Sequence, residues 1–299
     1  MPELDPSLLV DAHHHLWDLD QRRQPRLDEA TLAPIRRSFT LDDLRGQATR
    51  SIAGRSLGAT VLVQCVQSLA ETENLLALAE EDSLVGAVVG WADLTSPAIG
   101  DTLDALLSGP GGTYLRSLRH LVQAEIDPCW LHRPDVIWGL RAVRERGLAY
   151  DVLVRAHQLP SAIHLAERHP ELPLVLNHAG KPSIADGDLA EWEKQVLRLA
   201  AHTQVTCKVS GLVTETDHHT WTTDDIRPVW DVLLSAFGPE RLMFGSDWPV
   251  CVLAGGWNRW AGAVDELIAD CSATETAAIL AGTATDVYQV QHTVRDSRS

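Results

Sequence analysis

Apolar residues along this chain fall in short dense runs, separated by longer stretches in which they recur at helical spacing. Eight such runs stand out: "LLVDAH" at 8–13, "ATVLVQCV" at 59–66, "LVGAVVGWA" at 84–92, "SLRHLVQ" at 117–123, "AYDVLV" at 149–154, "LPLVLNH" at 172–178, "VTCKVSG" at 205–211 and "RLMFGSD" at 241–247. Their length and β-branched content predict strands. Between them "TLDDLRGQATRSIAGRSL", "ETENLLALAEED", "IGDTLDALLS", "PDVIWGLRAVRERG", "LPSAIHLAERH", "LAEWEKQVLRLAAH" and "TTDDIRPVWDVLLSAFG" read as helices, several opened by Thr, Ser or Asp and two closed at Gly. Strict alternation of strand and helix implies a parallel sheet clothed in helices. Eight units in 299 residues predict an α/β fold of the (β/α)8 TIM-barrel type. No linker divides residues 1–299, so one domain is expected, with extra C-terminal helices in "WNRWAGAVDELIADC" and "ATETAAILAG". A doubly wound open sheet would need a glycine-rich phosphate turn after the first strand, where this chain has "HHHLWD".

Composition narrows the partners. With 41 acidic against 25 basic residues the formal charge is −16, and no basic run could follow a phosphate backbone, so nucleic acid and anionic membranes are not expected. No apolar stretch reaches about 18 residues and the N-terminus lacks a signal-peptide pattern, which predicts a cytoplasmic protein. The five cysteines, Cys65, Cys129, Cys207, Cys251 and Cys271, are scattered without a C-x-x-C pair and fit reduced thiols. Oligomeric state is open.

In a (β/α)8 barrel, reactive groups gather at the C-terminal ends of the strands. On the first strand, alternation puts Asp11, His13 and His15 on one face and His14 on the other. Two imidazoles on one face of a buried strand are costly to desolvate unless something uses them. The remaining strand ends offer Gln64 and Gln67, then Trp91 and Asp93, Arg119, His120 and Gln123, Asp151 and Arg155, His178 and Lys181, Lys208 and Ser210, and finally Asp247 and Trp248. Asp247 follows "LMF" and a Gly-Ser pair, a carboxylate set at the edge of a core.

Taken together, "DAHHHLWD", "NHAGKP", "KVSGL" and "FGSDWPVCVLAGG", in this order, resemble the amidohydrolase superfamily and, within it, the branch of sugar lactonases, sibling to the 2-pyrone-4,6-dicarboxylate hydrolases. The resemblance runs from about residue 8 to "AGTATDVY" at 281–288. It implies a (β/α)8 barrel with His13, His15, His178 and Asp247 as catalytic residues. It also implies one divalent metal, zinc, on His13, His15 and Asp247 if metal is bound, without making that metal a requirement or calling for an organic cofactor. Two-metal members carry a bridging lysine or carboxylate at the fourth strand, and "SLRHLVQ" has neither. One-metal members commonly add a histidine at the fifth strand end; "AYDVLV" ends without one.

The implied reaction is hydrolysis of a sugar acid lactone such as L-fucono- or L-rhamnono-lactone. It requires a base for water, a donor for the developing oxyanion and a proton for the leaving alkoxide. Asp247 is assigned as base and later acid, and His178 as the group that orients and polarises the carbonyl. Trp17, Trp91 and Trp248 follow the first, third and eighth strands, where an amphipathic ring suits the apolar face of a sugar. With them, His120, Arg119, Lys181 and Gln64 are the expected substrate contacts. A pyrone dicarboxylate is the alternative substrate, with Arg119, Arg155 and Lys181 as carboxylate partners; a metal-dependent decarboxylase of the same fold ranks below it.

Overall fold

A computed structural model describes residues 7–291. Eight parallel strands, β1 (Leu8–His14), β2 (Ser56–Val63), β3 (Val85–Gly90), β4 (Leu115–His120), β5 (Ala149–Val152), β6 (Leu174–Leu176), β7 (Val205–Val209) and β8 (Leu242–Phe244), pair in sequence order in one sheet. Helices α1 (Leu41–Gln47), α2 (Leu69–Glu81), α3 (Ile99–Ser108), α4 (Pro134–Glu145), α5 (Leu159–Arg168), α6 (Ala190–Ala200), α7 (Thr223–Phe237) and α8 (Gly256–Leu267) cover it. This is the expected (β/α)8 barrel. The ring closes just past the ends of β1 and β8, through a parallel bridge between His14 and Trp248 and backbone bonds from Asp247 N to His13 O (2.7 Å) and His15 N to Trp248 O (2.7 Å). Among the described residues no helix is long and apolar enough to cross a membrane.

Alternation splits every strand between helix side and barrel interior. Leu9, Leu62, Val88, Leu118 and Val152 join the large core under the helices, whereas Val10, Ala12, Ala59, Val61, Val63, Ala87, Val89, Val175 and Met243 fill the barrel. The interior has two unlike halves. Strands β1 to β3 contribute Val and Ala and β6 Val175, while β4, β5 and β7 contribute Ser117, Asp151 and Lys208, all fully buried. Asp151 accepts from Ser117 Oγ (2.7 Å), Lys208 Nζ (2.7 Å), Asn177 Nδ2 (2.8 Å) and Tyr288 Oη (2.9 Å). Tyr288 closes the last helices, α9 (Ala273–Ala277) and α10 (Thr283–Tyr288), which are joined by a π-helical turn at Ala278–Gly282. Ala281, Ala284, Tyr288 and Val290 pack with the interior residues, and Gln291 N bonds Gly86 O at the start of β3 (2.9 Å). The C-terminal helices thus plug the barrel at the end opposite the strand C-termini.

One expected helix is shorter in the structure. α1 ends at Gln47 within "TLDDLRGQATRSIAGRSL", and β2 has begun by Ser56, because the tail of that segment pairs with β1 at Leu8 and Leu9.

Candidate active site

The barrel seam itself carries the first candidate residues. A β-bulge lies between Asp11 and His14, where three steps along β1 match two along β2. Asp11 therefore does not share a face with His13 and His15, as plain alternation implies. Its carboxylate turns to the helix side, where it accepts from Ser246 N (2.8 Å), His13 N (3.1 Å) and Trp257 Nε1 of α8 (3.3 Å). His14 also points away, with Nε2 2.9 Å from Thr60 Oγ1. Past the bulge, His13 and His15 turn inward, their Nε2 atoms 3.2 Å apart.

Asp247 completes the group, with Oδ1 3.4 Å from His15 Nε2, 3.7 Å from His13 Nε2 and 3.9 Å from His178 Nε2. All four side chains are buried. Asp247 (φ +55°) and His178 (φ +54°) both stand in the left-handed region, and His178 opens a run of left-handed residues through Lys181. Such backbone costs of order 1–3 kcal/mol per residue and persists only where its surroundings hold it. Here the hold comes from Ser210 Oγ on His178 Nδ1 (2.9 Å), and from Gly211, where an added Cβ would lie 2.6 Å from His178 Nδ1 and 3.2 Å from Asp247 Oδ2. Gly211→Ala is accordingly expected to displace His178 and lower kcat/KM on the order of a hundredfold. Measuring melting temperature beside kinetics tests this; a loss of activity that merely tracked a loss of folded protein would refute the positioning role.

The other expected substrate contacts separate into three groups. Arg119 (3 % exposed) and Gln64 (fully buried) lie beneath the histidines and do not reach the mouth. Arg119 Nη2 donates to the Gln64 carbonyl, its Nη1 lies 3.3 Å from both Asn177 Oδ1 and His13 Nε2, and Gln64 Nε2 donates to Arg119 O. At the mouth, His120 stacks on Trp130 (3.8 Å), contacts Glu125 Oε1 through Nε2 (2.7 Å) and accepts from Trp91 Nε1 at Nδ1 (3.3 Å), with Gln67 Nε2 3.1 Å away. Lys181 faces Glu215 at 3.6 Å. Trp17 and Trp248 have another task. Both rings pack edge-on against Phe39, Trp17 Nε1 donates to Arg37 O and Trp248 Nε1 to Gln47 Oε1, so they anchor the N-terminal segment and offer no face to a sugar.

Residues 10–290 match the family model described as amidohydrolase. The chain belongs to the amidohydrolase family. It is 36 % identical over 293 residues to an L-fucono-1,5-lactonase of Burkholderia multivorans, covering 94 % of this chain and 96 % of that one. Its structure resembles that of an amidohydrolase from Burkholderia multivorans with bound zinc (TM-score 0.88, 36 % identity, 95 % of this chain and 100 % of the other). A putative 2-pyrone-4,6-dicarboxylic acid hydrolase from Pseudomonas putida, at 21 % identity and TM-score 0.71 over 95 % of this chain and 98 % of the other, shares the fold.

This amidohydrolase has its own geometric case for a metal. His15 Nδ1 lies 2.8 Å from the Val63 carbonyl, an acceptor only, so the ring proton sits on Nδ1 and Nε2 is a bare lone pair. His13 Nε2 faces a guanidinium, a donor only, and is likewise bare. Burial holds both imidazoles below their usual pKa, and takes His178 down to about 3. Burial alone would raise the Asp247 carboxyl, but His178, His15 and Lys181 outweigh it and hold it below the usual carboxylate range. Two lone pairs and a carboxylate oxygen thus converge, with edges of 3.2, 3.4 and 3.7 Å. Zinc ligands at about 2.0–2.2 Å in tetrahedral array stand roughly 3.3 Å apart, so the three residues fit one zinc ion.

Several residues that complete this amidohydrolase site were not singled out from the sequence. Asn177 links Arg119 to Asp151, and its place beside His178 in "NHAGKP" was the available signal. Glu125 and Trp130 hold His120 from a loop, and Glu71 of α2 accepts from Cys65 N (3.0 Å) and Val66 N (2.9 Å), fixing the turn after β2. No spacing rule marks such long-range partners.

Proposed function

We propose that the protein hydrolyses a sugar acid lactone, with Asp247 as the base. The observation that carries this reading is the buried Asp247 carboxylate, with Oδ1 between 3.4 and 3.9 Å from three imidazoles at the strand C-termini. Similarity over nearly the whole chain to an L-fucono-1,5-lactonase supports the substrate class. Asp247 takes a proton from water as it attacks the lactone carbonyl. His178, facing Asp247 at 3.9 Å, orients the carbonyl and stabilises the oxyanion. Collapse breaks the ring C–O bond, and the proton on Asp247 passes to the departing alkoxide, leaving a hydroxy acid. Zinc, when bound by His13, His15 and Asp247, adds Lewis-acid polarisation and a lower pKa for bound water. Trp91 and Gln67, tied to His120, give the sugar an apolar face and a hydrogen-bonding edge.

A dicarboxylate fits less well. Arg119 is committed to Gln64 O and Asn177 beneath the site, and Lys181 faces Glu215, which leaves Arg155 as the exposed cation of the three. Acid release from a panel of L- and D-aldonolactones, run beside 2-pyrone-4,6-dicarboxylate, tests the proposal. Turnover is expected on a small set of sugar lactones, L-fucono-1,5-lactone among them. Turnover of the pyrone with silence on every sugar would overturn it.

A further inference from the structure

We propose that Arg119 sets the metal affinity of the His13, His15 and Asp247 centre, by holding the His13 lone pair that a metal requires and by placing a fixed positive charge beside it. This goes beyond the lactone reading and does not depend on which lactone is the substrate. A guanidinium has donors and no acceptor, so the 3.3 Å approach of Arg119 Nη1 to His13 Nε2 uses the lone pair that would bind zinc. The side chain is 3 % exposed and tethered at Nη2 to the Gln64 carbonyl and at Nη1 to Asn177 Oδ1 (3.3 Å), and Asn177 is in turn bound to Asp151 (2.8 Å).

His13 also lacks the support that a metal-bound histidine ordinarily has on its other nitrogen. His15 has Val63 O on Nδ1, whereas His13 Nδ1 is buried and has no hydrogen-bond partner among the described residues. The hydrogen bonding of the His13 ring is therefore confined to Nε2, where Arg119 donates to it. Incoming zinc must break the Arg119 contact and then sit beside a cation. The same contact keeps His13 in place, and compensates Asp247, when metal is absent. The centre is thus built to persist in both states, with metal bound weakly.

The test is zinc affinity of the whole protein after stripping with chelator, read by competition with a chromophoric chelator, for wild type, Arg119→Met, Arg119→Gln and Arg119→Lys. Met and Gln, which remove the charge, are expected to bind zinc at least about tenfold tighter than wild type. Lys, which keeps the charge, is expected to stay nearer wild type than Met. A second readout is the melting temperature of the stripped proteins, where Met and Gln fall and recover on adding zinc. If Met fails to fold, the contrast of Gln with Lys decides. Zinc uptake by wild type that is equal or weaker in Met and Gln would overturn the role of Arg119 and leave the metal centre standing; no uptake by any of the four would overturn both.

Discussion

Asp247→Asn is expected to lower kcat for lactone opening by on the order of 10³–10⁴-fold while the protein stays folded. The amide cannot accept the proton of attacking water or return one to the alkoxide, so both halves of the reaction lose their carrier. Folding should survive for two reasons. The Asp247 N–H to His13 O bond at the seam belongs to the backbone, and Asn tolerates the left-handed φ of +55° better than most other residues. Zinc affinity should fall in the same variant, because a neutral amide replaces the anionic ligand. A variant keeping more than about a tenth of wild-type kcat would place the base elsewhere. The wild-type pH profile gives an independent check. Asp247 acts when ionised, and its pKa is held below the usual carboxylate range, so activity is lost only as pH falls through that depressed value. The rate should then show no acid limb between neutrality and about pH 5. A limb at pH 6–7 would point to a histidine as the titrating base.

The fold was legible from periodicity because eight alternating units leave few arrangements, and exact boundaries were not needed. The site was less uniformly legible. His13, His15, His178 and Asp247 could be located because strand C-termini converge in a barrel, and the structure brings all four within 4 Å of a neighbour in the group. Asp11 was misplaced because a bulge is a feature of the pairing of β1 with β2, and a single strand's sequence does not contain it. For Trp17 and Trp248 a position just after a strand does not say which way the ring turns, and Phe39, against which both rings pack, lies in a segment with no marked pattern. Arg119 and Gln64 sit at the expected strand ends, yet Arg119 is tied to Asn177 and His13 and Gln64 is tied to Arg119, which keeps both below the mouth. The division of the interior into an apolar and a polar half follows from Ser117, Asp151 and Lys208 occupying inward positions, which becomes apparent only once the strand faces are known.

That polar half carries the second large effect. Lys208→Met is expected to destabilise the protein by about 3–5 kcal/mol, because it leaves the Asp151 carboxylate in the barrel interior without its direct counter-charge. Lys208 Nζ and Asp151 Oδ2 are 2.7 Å apart and both side chains are fully buried, so water cannot take over the lost contact. Ser117, Asn177 and Tyr288 would still donate to the carboxylate, but they are neutral. The melting temperature should drop by roughly 5–15 °C. Combining Lys208→Met with Asp151→Asn should recover most of the loss, since the pair is replaced by a neutral group that can still accept from Tyr288 and Ser117. Tyr288→Phe should cost less, about 1.5–3 kcal/mol, as one of several donors to a charged acceptor, and it would loosen the C-terminal plug before the sheet. Thermal melts of the four proteins decide the matter. A double variant no more stable than Lys208→Met alone would mean that the lysine acts through packing, including its ammonium 4.9 Å from the Tyr288 ring centroid, and not through the charge of Asp151.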